Sequence, residues 1–154
     1  MESPTELIAQ PAAVLLDFTA ASREAAIRTL HRHVQAAPGV HDAARFLRDL
    51  LERAMLSSVC IAPEIAMPHA RTDALGQVVF AAARLAAPGV AFDRDHPRVR
   101  LMFLFGTPRQ EVDAYLQLVA ALSRTLKSDG VLAGLLAAGD QDEFRGWLAR
   151  GVHG

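Results

Sequence analysis

Cysteine is almost missing from this chain. Cys60 is the only one in 154 residues, so no disulfide can close within it. That fits a reducing compartment, and the cytoplasm is the expected location. Long hydrophobic runs are missing too. No uncharged apolar stretch approaches the roughly 18 residues of a membrane span. Charge of one sign is absent: 16 Lys and Arg stand against 17 Asp and Glu, a net charge of −1. Neither nucleic acid nor an anionic membrane is therefore an expected partner. Residues 1–11 carry Glu2, Glu6 and two prolines but no basic start, so they do not read as a signal peptide. They read as a loose lead-in to one domain spanning 1–154. Internal repeats, linkers and low-complexity segments are absent. So are a P-loop and any Ser-His-Asp arrangement that can be placed. His31 and His33 lie two residues apart, which puts them on different sides of a helix and makes no metal pair. With His41 they are expected on the solvated surface. No metal or cofactor site is expected.

What is present is a foldable α/β pattern. Hydrophobic residues make up 51% of the chain, enough for a real core at this length. Ala13 to Phe18 is a short apolar run that fits a first strand. Ser22 can cap a helix carrying Ile27, Leu30 and Val34, which Pro38-Gly39 ends. A second helix, from about His41 to Leu56, carries Phe46, Leu47, Leu50, Leu51 and Ala54 on one side. Gln77 to Leu85 is a strand candidate. Val99 to Phe105 is the clearest strand, near-continuously apolar and so central in a sheet. Val112, Tyr115, Leu116, Val119, Leu122 and Leu126 form one stripe of a long helix. Asp140 and Glu143 stand at capping-box spacing before a last helix. Intermingled strands and helices predict an α/β fold: a three-layer α/β/α sandwich around a central mixed sheet.

The chemistry concentrates in Pro63 to Arg71. A short strand-like run ends in Met67-Pro68-His69. Pro68 fixes its own φ and biases Met67 toward extended geometry, so His69 stands on stiffened backbone where the strand is expected to end. Arg53 falls on the margin of the buried face of the second helix, near its C-terminus. From there it either snorkels to water or points into an anion site.

Arg53, Ser58 and Ile65-Ala66-Met67-Pro68-His69-Ala70-Arg71 together resemble the signature of the type-2 enzyme IIA domains. These belong to the phosphoenolpyruvate:sugar phosphotransferase system, in its fructose, mannitol and nitrogen-regulatory branches. The likeness covers roughly residues 12–149. It implies that His69 carries a phosphoryl group, that Arg53 pairs with its charge, and that Ser58 and Arg71 help bind it. It also implies a phosphocarrier that is charged by the histidine-containing protein HPr, or by its nitrogen-branch relative, and that acts on regulatory targets. A 154-residue chain without an attached permease segment resembles the nitrogen-regulatory branch most.

The chain departs from the family pattern in four places. A glycine-rich run, usually Ser-Thr-Gly-x-Gly-x-Gly, is here Ser58-Val59-Cys60-Ile61-Ala62-Pro63-Glu64. Glycine permits the dihedrals with which backbone amides cradle an anion, so this loss weakens the cradle. Ala54 replaces a glutamate. Glu64 brings a carboxylate within a few residues of the reacting histidine. The family's second histidine, at the start of the long helix, aligns with Val112, and no histidine occurs between His96 and His153. These departures keep two alternatives open: a regulatory module of the same fold that has lost transfer, and a sensor of small anions.

Overall fold

The structure, a computed structural model, describes residues 3–154. Its centre is strand β6 (Leu101–Pro108), whose eight residues are all buried. Leu101, Phe103 and Phe105 pack with one hydrophobic cluster, and Met102 and Leu104 with another on the opposite face. A strand covered on both faces needs no polar alternation, which is why its sequence reads as one apolar run. It continues through Gly106, Thr107 and Pro108, beyond the end expected at Phe105.

The other strands are β1 (Ala13–Phe18), β2 (Cys60–Ala62), β3 (Ile65–Ala66), β4 (His69–Thr72) and β5 (Val79–Leu85). The sheet order is β1-β5-β6-β3-β2, with β4 also on β6. β1 is parallel to β5, β5 antiparallel to β6, and β3 and β4 parallel to β6. The sheet is therefore mixed. Helices α2 (Arg23–Arg32) and α3 (Ala43–Leu56) cover one face through Ile27, Leu30, Phe46 and Leu50. On the other face lie α1 (Pro4–Ala9), α4 (Val112–Lys127), α5 (Val131–Ala137) and α6 (Gln141–His153). They contribute Ile8, Leu118, Leu122, Leu135, Phe144 and Leu148. This is the expected three-layer sandwich.

Four local expectations need correction. The segment expected as a loose lead-in contains helix α1, capped by Ser3 and opened by a proline, with Ile8 fully buried. A single deeply packed side chain fixes it, too weak a periodic signal to read from six residues. His31 is buried, not solvated: α2 crosses α3 so that His31 bonds the Ala43 carbonyl at 2.9 Å. His69 opens a strand, where the sequence suggested that one ends. Pro68 interrupts pairing, β3 precedes it, and β4 resumes alongside β6 with His69 opposite Phe105. Finally, Val112 and Leu116 of the long-helix stripe are exposed, and the buried residues of α4 begin only at Leu118.

Candidate functional site

The break at Pro68 is what places His69. β4 pairs with β6; α3 packs on β4 from one face of the sheet, and α4 packs on β6 from the other. An open cleft of about 400 Å³ forms there, lined by Asp49, Glu52, Arg53, Leu56, His69, Ala70, Arg71, Arg109 and Tyr115. Gly106, paired with Ala70, lets α3 come this close. A Cβ there would lie 2.5 Å from both Phe46 and Leu75.

His69 is nearly buried. Its ring stacks on Phe105, with centroids 5.3 Å apart, and tilts against Tyr115 at 5.0 Å. Nδ1–H donates to the Met67 carbonyl at 3.0 Å, since a carbonyl can only accept. The tautomer is thereby fixed, and the lone pair sits on Nε2. Burial pushes the pKa of His69 down; the bond to Met67 opposes this, and the charge of Arg53 adds to the lowering. The ring is therefore a neutral nucleophile at pH 7. The extended backbone at Met67 and Pro68 supplies the carbonyl that orients it.

Arg53 comes from the last turn of α3 and joins His69 in the cleft. Its Nη1 donates to the Ser57 carbonyl at 3.3 Å and the Ser57 hydroxyl at 3.1 Å. Those bonds anchor one side of the guanidinium on the residue that caps α3. Arg71 lines the same cleft and donates from Nη2 to the Arg109 carbonyl at 3.3 Å. Arg109, unremarked in the sequence, is held by Asp73 at 3.5 Å. Asp49 accepts from Thr72 Oγ1 at 2.6 Å. Three arginines thus face one imidazole, with two carboxylates at the margin.

Ser58 and Val112, the other candidates, lie outside this lining. Ser58 Oγ donates to Asp93 Oδ2 at 2.7 Å and accepts from the Cys60 amide at 3.2 Å, so its hydroxyl serves the neighbouring loop. Val112 is in the first turn of α4, half-exposed. The α4 residue that covers His69 is Tyr115, one turn further on. Position i+3 on the same helix face was the available signal, but as part of an apolar stripe Tyr115 read as core. Glu64 also lies away from the cleft, exposed in the β2–β3 turn beside Leu132 and Leu136 of α5. Burial pushes the Cys60 thiol up to about 11, which disfavours its thiolate in the metal-free protein.

An oriented imidazole in a cleft lined by three arginines, within a three-layer α/β sandwich, is an arrangement that can hold an anionic group. The family profile described as "Phosphoenolpyruvate-dependent sugar phosphotransferase system, EIIA 2" matches residues 7–150, and the chain belongs to that family. It is 33% identical over 151 residues to the fructose-specific EIIA component of the phosphotransferase system of Haloferax volcanii, covering 97% of this chain and 94% of that one. Two solved structures share the fold. The nitrogen regulatory protein IIA-Ntr of Neisseria meningitidis superposes with a TM-score of 0.77 at 19% identity, over 94% of this chain and 97% of that one. Enzyme IIA of the mannitol system of Escherichia coli, in complex with phosphorylated enzyme IIB, gives 0.76 at 20% identity, over 90% and 95%.

Proposed function

We propose that the protein is a phosphocarrier that takes a phosphoryl group onto Nε2 of His69 from an HPr-like donor and passes it on. The observation that carries this reading is the Nδ1 bond to Met67, which leaves the lone pair on Nε2 in a ring that shares its cleft with Arg53, Arg71 and Arg109. In the transfer, a P–N bond forms at Nε2 as the donor's P–N bond breaks, and the donor imidazole leaves with the bonding pair. The His69 ring gains positive character, which the Met67 carbonyl stabilises through Nδ1–H. Arg53 pairs with the oxygens of the transferring group, and Arg71 supports it, so catalysis is positioning and charge stabilisation.

A protein donor also has a surface to meet. Met55 and Leu56 at the end of α3 are 72% and 81% exposed, and Val112 and Leu116 at the start of α4 are 50% and 59% exposed. These helices supply Leu56 and Tyr115 to the cleft, so apolar side chains border the charged site. No helix among the described residues is long and apolar enough to cross a membrane. The reading places the protein in the cytoplasm with its donor. The fructose-specific relative is of similar length, so length does not single out the nitrogen branch, and its name supports the sugar branch.

Two observations favour a second reading, a regulatory module that keeps the fold without transfer. Tyr115 fills the place over His69, and Ser58 is turned toward Asp93. Intact mass after incubation with phosphoenolpyruvate and the general phosphotransfer proteins separates the two. The carrier gains one phosphate, acid-labile and alkali-stable, and His69→Ala abolishes it. No mass shift in the folded protein overturns the carrier and leaves the regulatory module.

A further inference from the structure

A second cluster of metal-ligating side chains lies outside the cleft lining, and phosphoryl transfer has no use for it. Cys60 on β2 meets Asp93 and His96 from the β5–β6 connection. One ligand atom from each lies within 4.8 Å of the others. Thirty-three residues of sequence separate Cys60 from Asp93, so no short motif announces the group. The turn that carries two of the three is well fixed. His96 N donates to the Asp93 carbonyl at 3.1 Å, Phe92 N to the His96 carbonyl at 3.0 Å, and Asp95 N to Asp93 Oδ1 at 3.0 Å. Arg23 Nη1 holds the Phe92 carbonyl from α2 at 3.2 Å. Across from it, Ser58 Oγ ties the start of β2 to Asp93 Oδ2.

We propose that Cys60, Asp93 and His96 form a three-ligand site for a divalent zinc-class cation, with the fourth position open to water or to a partner's side chain. Thiolate, imidazole and carboxylate together suit zinc, whose usual ligand distances are about 2.0–2.3 Å in a tetrahedron. Ligand atoms that far from a common centre stand roughly 3.3–3.8 Å apart. His96 Nδ1 and Asp93 Oδ1, now 2.6 Å apart, must open slightly, and Cys60 Sγ must close slightly. Both are side-chain rotations. In the metal-free state the His96 Nδ1 proton points at the Asp93 carboxylate. On binding, the Cys60 thiol proton leaves to solvent and the His96 proton moves to Nε2, so one proton is released per cation. Cys60 is half-buried, while the Asp93 and His96 side chains are 26% and 23% exposed, so the cation has an entry path. Arg23, the nearest guanidinium, is already engaged by Glu24 and the Phe92 carbonyl.

The test is titration of the full chain with Co²⁺ as a spectroscopic stand-in for Zn²⁺, followed by displacement with Zn²⁺. One equivalent should bind, giving a thiolate-to-cobalt charge-transfer band and the ligand-field bands of tetrahedral cobalt. His69→Ala should leave these spectra unchanged, which separates this site from the phosphoryl cleft. Cys60→Ser should remove the charge-transfer band, and His96→Ala should weaken binding beyond the roughly 10–100-fold that loss of an outer partner costs. Octahedral cobalt without a thiolate band in the wild-type chain overturns the proposal, whatever the variants do. So does a band that survives Cys60→Ser.

Discussion

His31 and His69 are both buried, 3% and 7% exposed, and both have a ring nitrogen bonded to a backbone carbonyl. Burial pushes both pKa values down. What separates them is what surrounds the rest of the ring. His31 spends Nε2 on Ala43 and rests on Phe46 at 5.6 Å, inside the seam between α2 and α3. His69 spends Nδ1, rests on Phe105, and lines a cleft with Arg53, Arg71 and Arg109. One histidine stitches two helices together; the other is oriented by the chain and left available. Burial and a shifted pKa alone do not tell the two apart.

The sharpest way to break this comparison is to truncate each ring in turn. His69→Ala should lose all labelling and keep the fold. His31→Ala should keep labelling within about twofold and lose stability. The loss is about 1–3 kcal/mol for the orphaned carbonyl and the vacated space, read as a lower denaturant midpoint. If labelling survives His69→Ala, the division of roles between the two rings fails.

Arg53→Ala should slow labelling by roughly 10–100-fold, the kinetic equivalent of one charged hydrogen bond. Its denaturation midpoint should barely move, because the Ser57 contacts are exposed. The next comparison is between two positions on α4. Tyr115→His places an imidazole over His69 and should lengthen the life of the phosphorylated form by about tenfold. Val112→His, one turn back at the exposed start of the helix, should do little. The reverse outcome restores Val112 as the second-histidine position.

The smallest expected effect is on pH. Both histidines have folded pKa values below the usual 6.5, so as pH falls through that value the unfolded chain takes up protons first. Stability should therefore be flat above about pH 6.5 and decline below it, toward the lowered folded values. His31→Ala should flatten part of that decline. Urea midpoints at a series of pH values measure it, and a rise in stability on mild acidification would contradict the burial of both rings.

The apolar runs made the sandwich readable from sequence. β6 and the buried faces of α3 and α6 rest on burial patterns that composition and period reveal. Spacing left Arg53 open between water and an anion site; the family resemblance paired it with His69, and both residues line one cleft. What sequence hid were pairings across the sheet. Tyr115 sits in an apolar stripe, yet its ring rests against His69. His31 is polar and helical, and only the α2–α3 crossing buries it. Ser58 fits the family pattern by position, but Asp93, thirty-five residues later, claims its hydroxyl. Cys60, Asp93 and His96 meet because β2 returns beside the β5–β6 connection, which no local period encodes.

The guanidiniums and carboxylates of the cleft have one more consequence. Arg53, Arg71 and Arg109 exceed Asp49 and Glu52 by one in the lining, and Asp73 stands 3.5 Å from Arg109, so the mouth is at most weakly positive. A phosphoryl group brings about −1.5 to −2 charges. Loading would therefore reverse the sign of the field that an approaching macromolecule feels, within the roughly 8–10 Å that salt leaves unscreened. A donor seeking the empty form and an acceptor seeking the loaded one would meet opposite polarities on an unchanged backbone, and traffic through one doorway would be sorted by charge alone.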